Sequence, residues 1–208
     1  MLLLTRRVAL GLGLAALAGP ALAQTLPEPT FVPVELFEEA LELEGAVRLG
    51  NPRGDVTFLE VFDHNCPWCR HSAQDLAPLL ADDADLSYVL LCTPILGEAS
   101  LGAARVAQGF ARLHGPERAG AFHRALMALR GRLDGERALG QAEQLGADRA
   151  ALAAAADSSE VRRQVDEVLR IGRSLGIDAT PSFVLGPDLY PGALDLAQKQ
   201  ALVARARA

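Results

Sequence analysis

Two cysteines separated by two residues, Cys66 and Cys69, are the part of the sequence best suited to chemistry. An apolar run, Val56–Phe62, precedes them, and a helical pattern begins at Pro67. The first turn of a helix has unpaired backbone N–H groups and the positive end of the helix dipole, which together favour a thiolate at Cys66. Cys69 follows about one turn later on the same face, so the two sulfurs can form a disulfide. The pattern predicts thiol–disulfide exchange.

The same cysteines could form a static disulfide or half of a zinc site. A static bond across two residues closes a very small loop and adds little stability. A zinc site needs two further ligands, and His64 and His71, which flank the motif, are poorly placed for a closed site. Redox chemistry is therefore favoured, with no metal and no cofactor. The third cysteine, Cys92, ends an apolar run, and we expect it to be a small buried hydrophobe rather than a third redox thiol.

Residues 1–23 have the pattern of a secretory signal peptide. Arg6 and Arg7 precede an apolar run that is too short to span a membrane, and a small-residue cleavage site ends at Ala23. We expect cleavage after Ala23 and a periplasmic location, reached by the Sec or the twin-arginine route, where disulfides persist. Removing Arg6 and Arg7 changes the formal net charge from −6 to −8. This balance excludes a nucleic-acid partner, which requires a basic patch.

The rest of the sequence alternates strand-like and helical segments, with a long helical block between strands. A short helix over 34–43 could pack on the domain, which we favour, or mediate self-association, so the oligomeric state stays open. The further predicted elements are strands over 46–49, 56–62, 86–92, 182–185 and 189–190, a helix over 67–80 kinked at Pro78, helices over 101–113, 119–130, 136–145 and 148–156, a helix capped by Asp157 and Glu160 that ends at Gly176, and a closing helix over 194–206.

Glu60 is an acidic residue on a strand face that we expect to be buried. It alternates with Val56, Phe58 and Phe62, so its side chain points in the same direction as theirs. A carboxylate in the core is unfavourable unless it is partnered or protonated. Its position before the dithiol predicts a proton relay with a raised pKa that serves Cys69. The alternative is a strand-edge glutamate that reaches solvent.

Three more residues have positions that suggest a role at the site. Trp68 lies between the cysteines at a helix start, so we expect an aromatic side chain on the rim. Thr180 and Pro181 come directly before a predicted strand, and a proline there marks a strand entry or a tight bend because it cannot donate a backbone hydrogen bond.

Several segments resemble the DsbA family of thiol–disulfide oxidoreductases. Residues 56–69, VTFLEVFDHNCPWC, are similar to the active-site strand and helix of that family. Residues 93–100, TPILGEAS, with Ala103-Ala104-Arg105, resemble the segment that leads into its helical insertion. Residues 176–184, GIDATPSFV, resemble its cis-proline loop, and residues 191–193, PGA, its final turn. The resemblance covers nearly the whole mature chain and is nearest the branch with suppressor-of-copper-sensitivity and Com1-like members.

The resemblance implies an α/β, thioredoxin-like fold with a helical insertion between strands. After the signal peptide, an N-terminal extension would span residues 24–50. The thioredoxin-like domain would consist of 51–97 and 176–208, and the helical insertion of 98–175.

The resemblance also implies roles for the site residues. Cys66 would be the nucleophile, Cys69 the resolving thiol and Glu60 a buried carboxylate. Pro181 would be a cis-proline that, with Thr180, binds substrate backbone. The rim residues Pro67 and Trp68 would contact substrate as well. The partners would be cysteine-containing exported proteins and a membrane redox partner.

The dipeptide between the cysteines departs from the family pattern. Strongly oxidising members place a histidine second, where this chain has Trp68. Without that imidazole the thiolate loses one stabilising group, so we expect a less extreme reduction potential. Two alternatives stay open: a disulfide isomerase or reductase kept reduced by a membrane partner, and a copper-handling protein that uses the same two thiols as soft ligands.

Overall fold

The computed structural model describes residues 26–208; the predicted signal peptide and its cleavage site lie outside the described residues. The elements, in chain order, are β1 Thr30–Phe31, α1 Val34–Glu42, β2 Ala46–Gly50, β3 Val56–Phe62, α2 Pro67–Ser72, α3 Leu76–Asp82, β4 Leu86–Cys92, α4 Glu98–Ala128, α5 Gly135–Gln144, α6 Arg149–Ala156, α7 Ser159–Ser174, β5 Ser182–Leu185, β6 Asp188–Pro191 and α8 Leu196–Ala206.

The six strands form one mixed sheet in the order β1-β6-β5-β3-β4-β2. The central strands β3 and β4 are parallel, and every other neighbouring pair is antiparallel. All seven residues of β4 are buried, as the sequence predicts for a strand covered on both faces. β2, which the sequence predicts as a strand over 46–49, lies at one edge of the sheet and pairs with β4. β1, which the sequence reading missed, pairs with β6 at the other edge.

Helices cover both faces of the sheet. On one face, Phe58 of β3 and Tyr88 of β4 belong to a core that α3 and α8 complete. On the other face, Leu59 of β3 packs with residues of α1 and α7. Because Phe37 of α1 is buried in that second core, α1 packs on the domain, which was the favoured prediction. In residues 26–208, no helix is both long and apolar enough to cross a membrane.

The helical block lies between β4 and β5, and its helices α4, α5 and α6 share a core of their own. The two helices predicted over 101–113 and 119–130 are both present, as the two parts of α4 on either side of an interruption at Gly115. Gly115 has a φ of 78°, which a residue with a side chain rarely adopts, and Pro116 follows it. The insertion therefore begins with two helical segments joined at a kink.

Two helix boundaries differ from those that the sequence predicts. The kink predicted at Pro78 is instead a complete break over residues 73–75, between α2 and α3. Pro78 lies in the first turn of α3, where a backbone N–H has no partner within the helix and a proline is tolerated. The cap of α7 is Ser158 rather than Asp157: its hydroxyl accepts a hydrogen bond from the backbone N–H of Val161 at 3.2 Å.

Candidate redox site

Cys66 is the N-cap residue of α2, and Pro67 occupies the first helical position. The Cys66 sulfur accepts a hydrogen bond from the backbone N–H of Cys69 at 3.4 Å. This N–H belongs to the first turn, where donors have no partner within the helix. The short strand-to-helix connection that follows Phe62 places the thiol at this position. The helix start thus has the geometry that favours a thiolate.

A second segment meets the dithiol from the far end of the chain. The Thr180–Pro181 peptide bond is cis, in agreement with the resemblance. The Cys66 thiol donates a hydrogen bond to the carbonyl oxygen of Thr180 at 3.0 Å. Pro181 comes directly before β5, which pairs with β3. The sheet therefore brings together two loops that are 114 residues apart in the sequence.

The two cysteines of the motif differ in burial. Cys66 is 5% exposed, less than we expected for a nucleophile, and Cys69 is 0% exposed. Burial raises the pKa of the Cys69 thiol well above its ordinary value. Trp68, between them, is 64% exposed and lies on the surface, as predicted. All three cysteines are free thiols in the structure.

Glu60 lies in the core, so the alternative of a solvent-reaching glutamate is wrong. Its side chain is buried and accepts hydrogen bonds from Ser72 Oγ at 2.8 Å and from the Tyr88 hydroxyl. Burial raises the pKa of Glu60, while the positive charge of Lys199 acts in the opposite direction. Burial raises the pKa of the Tyr88 hydroxyl, and the charge of Glu60 acts in the same direction. Ser72, which donates to Glu60, follows Cys69 by one turn of α2, so the carboxyl group belongs to a hydrogen-bonded network close to the dithiol in the sequence of that helix.

Lys199 is a site residue that the sequence reading missed. It is the only lysine in the chain, and it is 1% exposed. Its Nζ donates hydrogen bonds to Ser72 Oγ and to Asp75 Oδ2, both at 2.9 Å. A signal was available, because Lys199 shares a helical face with Leu202 and Val203, and both are buried. A lysine on an apolar face needs a partner, and here that partner is Asp75.

The loop between α4 and α5 is attached to the start of α2. The Asn65 side chain donates to the Leu133 carbonyl at 2.8 Å and accepts from the Leu133 N–H at 2.7 Å. Arg70 donates to the Gly131 carbonyl at 2.7 Å and to the His64 carbonyl at 3.1 Å. The helical insertion therefore forms one wall beside the dithiol.

Cys92 lies in a separate environment at the end of β4. Its sulfur is 3.3 Å from His64 Nδ1, and both residues line a small cavity of about 30 Å³ together with His123. Burial lowers the pKa of His64 to about 4 and that of His123 to about 3. Burial also raises the pKa of the Cys92 thiol. As predicted, Cys92 is a buried residue; His123 packs its ring on Phe62.

The described part of the chain contains no group of three or more His, Cys, Asp or Glu side chains arranged to hold a metal ion. The chemically distinctive groups are the dithiol and the buried acid–base network of Glu60, Ser72 and Lys199.

Comparisons with known proteins agree with this geometry. A family model described as Thioredoxin matches residues 42–205. A thioredoxin-like oxidoreductase from Silicibacter pomeroyi DSS-3 is 38% identical and has a TM-score of 0.74; the match covers 80% of this chain and 96% of that one. A comparison with curated proteins finds no match.

Two further solved structures are similar in fold at lower identity. The thiol-disulfide exchange protein alpha-DsbA2 from Wolbachia pipientis is 24% identical, with a TM-score of 0.75 and coverage of 83% of this chain and 92% of that one. The catalytic domain of Proteus mirabilis ScsC is 21% identical, with a TM-score of 0.74 and coverage of 83% and 97%. Both share the thioredoxin-like fold with a helical insertion that the resemblance implies. With a matching family model over most of its length, a thioredoxin-like α/β sheet and a helical insertion between β4 and β5, the chain belongs to the thioredoxin family.

Proposed function

We propose that this chain is an exported thiol–disulfide oxidoreductase that exchanges a Cys66–Cys69 disulfide with cysteines of other exported proteins. The observation that carries the proposal is the position of the Cys66 sulfur, at the N-cap of α2 and 3.0 Å from the Thr180 carbonyl oxygen. The similarity to an oxidoreductase at 38% identity supports it, as does the thiol–disulfide exchange protein that shares the fold.

The exchange proceeds in two displacements. A substrate thiolate attacks the Cys66 sulfur of the disulfide form; a substrate–Cys66 bond forms, and the bond to Cys69 breaks with Cys69 leaving as a thiolate. A second substrate thiolate then attacks the substrate sulfur of this mixed disulfide, and Cys66 leaves as a thiolate. Two electrons pass from the substrate to the protein, which ends as a dithiol. The disulfide of a membrane redox partner then accepts these electrons.

Proton transfer accompanies the departure of Cys69. Because burial raises the pKa of Cys69, its thiolate takes up a proton soon after it forms. Glu60, whose pKa is raised by burial, is a suitable donor through the hydrogen bonds that join it to Ser72 and Tyr88. Lys199, bonded to both Ser72 and the partly exposed Asp75, links this network toward solvent. Glu60 thus acts as the proton relay, and Lys199 positions it.

The rim supplies the substrate contacts. The Thr180 carbonyl beside Cys66 is an acceptor for a backbone N–H of an extended substrate, in the manner of an added strand. The exposed ring of Trp68 and the adjacent Pro67 offer an apolar surface next to the sulfur. Backbone pairing of this kind is independent of the substrate's side chains, so we propose a range of exported proteins as substrates.

Export and the direction of electron flow are part of the proposal. The signal-peptide pattern of residues 1–23 supports a periplasmic location. The oxidase direction is favoured over isomerisation because α1, the element available for self-association, is packed on the domain instead. With Trp68 where strongly oxidising members have histidine, we expect a reduction potential more negative than about −120 mV. Equilibration of the Cys66–Cys69 couple with glutathione measures it.

The decisive experiment replaces single cysteines and follows oxidation of a dithiol peptide. Cys66→Ser is expected to abolish the reaction, because the Cys66–Cys69 disulfide that the substrate thiolate attacks can no longer form. Cys92→Ser is the matched control and is expected to keep most of the activity, since Cys92 faces a separate cavity. Undiminished peptide oxidation by Cys66→Ser would refute the proposed function.

A further inference from the structure

A groove with several arginines runs beside the dithiol. It has a volume of about 770 Å³ and lies between α2–α3 and the second half of α4. Pro67 of α2 and Ala77 of α3 are among the residues that line it. Because Pro67 directly follows Cys66, the groove includes the residue next to the thiol that substrates reach.

The ionisable side chains that line this groove are all basic. Arg70, His71, Arg124 and Arg130 line it, and none of the lining residues in the described part of the chain is acidic. In residues 26–208, no carboxylate lies within 4 Å of the guanidinium groups of Arg70, Arg124 or Arg130. Other arginines, such as Arg163, pair with glutamates.

This groove stands out because the protein as a whole is acidic, with a formal net charge of −6. A substrate that is itself acidic would be repelled by most of the surface and attracted here. A concave site with one sign of charge concentrates ligands of the opposite sign and raises their association rate. Apolar side chains such as Met127 and Leu129 form part of the wall, as in a site for a peptide rather than a flat membrane surface.

We infer that this groove, defined by Arg70, His71, Arg124 and Arg130, binds acidic residues that flank the reacting cysteine of a substrate protein. The inference rests on the proposed function and adds a substrate preference to it. One side of the groove is formed by residues of α2 and α3, and the other by residues 124–131 at the end of α4 and just after it. Arg70 is held in place by the Gly131 and His64 carbonyls, so one positive charge is fixed next to the dithiol.

The test uses three peptides of equal length with one central cysteine, flanked by glutamates, by serines or by lysines. Each peptide reduces the oxidised protein, two peptide thiols becoming one peptide disulfide while the Cys66–Cys69 bond becomes two thiols. The fluorescence of Trp68, the only tryptophan, follows the reaction. At low ionic strength we expect the glutamate peptide to react about ten-fold faster than the serine peptide, and the lysine peptide more slowly than both. Added salt is expected to remove the difference.

The second part of the experiment reverses charges in the groove. Arg124→Glu and Arg130→Glu, alone and together, are expected to abolish the advantage of the glutamate peptide while leaving the rate with the serine peptide within about two-fold of the original. Both side chains are exposed, so the variants should fold. The matched control, Arg53→Glu, reverses an exposed charge in the turn before β3, at the opposite end of that strand from the dithiol, and is expected to keep the advantage.

The outcomes separate the two ideas. If the serine peptide reacts normally but the glutamate peptide has no advantage, or if the groove variants keep that advantage, this inference is wrong and the proposed function stands. If no peptide reduces the disulfide, both fail. Binding to anionic lipid vesicles that depends on Arg124 and Arg130, with no difference among peptides, would also overturn the inference.

Discussion

Cys66 and Cys92 are almost equally exposed, at 5% and 6%, yet they lie in different chemical environments. Cys66 is at a helix start, where its sulfur accepts a backbone N–H and donates to the Thr180 carbonyl. Cys92 is at a strand end, where its sulfur faces a neutral imidazole in a small cavity. Solvent exposure therefore does not distinguish the proposed redox thiol, Cys66, from Cys92. The orientation of nearby backbone dipoles does.

Alkylation of the native, reduced protein is the most direct test of the difference between Cys66 and Cys92. We expect a small alkylating agent near pH 7 to modify Cys66 at least about 100-fold faster than Cys69 or Cys92, because the helix start stabilises the reactive thiolate and burial raises the pKa of the other two thiols. Mass spectrometry of proteolytic peptides gives the rate at each site. Equal labelling of Cys66 and Cys92 would contradict the assignment, and unfolding the protein should make all three cysteines equally reactive.

Glu60→Gln tests whether an acid–base group serves the dithiol specifically. We expect exchange at pH 7 to slow by about ten-fold or more, since positioned acid–base groups contribute roughly 10²–10⁴-fold. Stopped-flow kinetics over a range of pH measures the effect, and the pH profile should flatten; a purely structural role would leave its shape unchanged. The control is His123→Leu, which alters the surroundings of Cys92 and is expected to leave exchange intact.

The same variant has a stability signature with a defined sign. The pKa of Glu60 is raised in the folded protein, so its contribution to stability is present below its ordinary value of 4.5 and is lost as the pH rises. The free energy of unfolding of Glu60→Gln, relative to that of the original chain, should therefore rise from pH 4 to pH 7. Denaturant titration at both pH values gives the difference, and a relative value that rises on acidification would contradict the raised pKa.

The smallest expected effect is a loss of stability at acidic pH, caused by a histidine close to Cys92. Burial lowers the pKa of His123 from 6.5 to about 3, so its neutral form stabilises the fold above pH 6.5 and that contribution is lost as the pH falls. Between pH 7 and pH 5 the loss is about 2 kcal/mol. His123→Leu is expected to remove it, and the exposed His71→Leu to leave it unchanged. An identical pH dependence in His123→Leu would mean that His123 is not buried in its neutral form.

The sequence predicted the part of the site that depends on local pattern. The helix start at Cys66, the strand Val56–Phe62 and the inward direction of Glu60 all follow from spacing along one segment. The cis bond at Pro181 was predicted only through the family resemblance.

What the sequence did not reveal depends on distant contacts. Lys199 reaches Ser72 across 127 residues and Asp75 across 124. The bonds between Asn65 and Leu133 span 68 residues. The sequence predicts one helix over 67–80 kinked at Pro78, because proline is the usual interruption, whereas in the structure the helix is broken before Leu76, next to Asp75, whose carboxylate binds Lys199. Contacts between residues so far apart in the sequence can be identified only from the three-dimensional arrangement of the helices on the sheet.

The attachment of Asn65 and Arg70 to the loop between α4 and α5 has a consequence for how the protein folds. Two carbonyl groups and one N–H of that loop complete the frame around the dithiol, and they arrive only when the helical insertion has docked. A newly made chain would display its cysteines on a short, unbraced helix until then. We therefore expect the two thiols to reach their reactive arrangement only after the helical insertion has folded against the sheet.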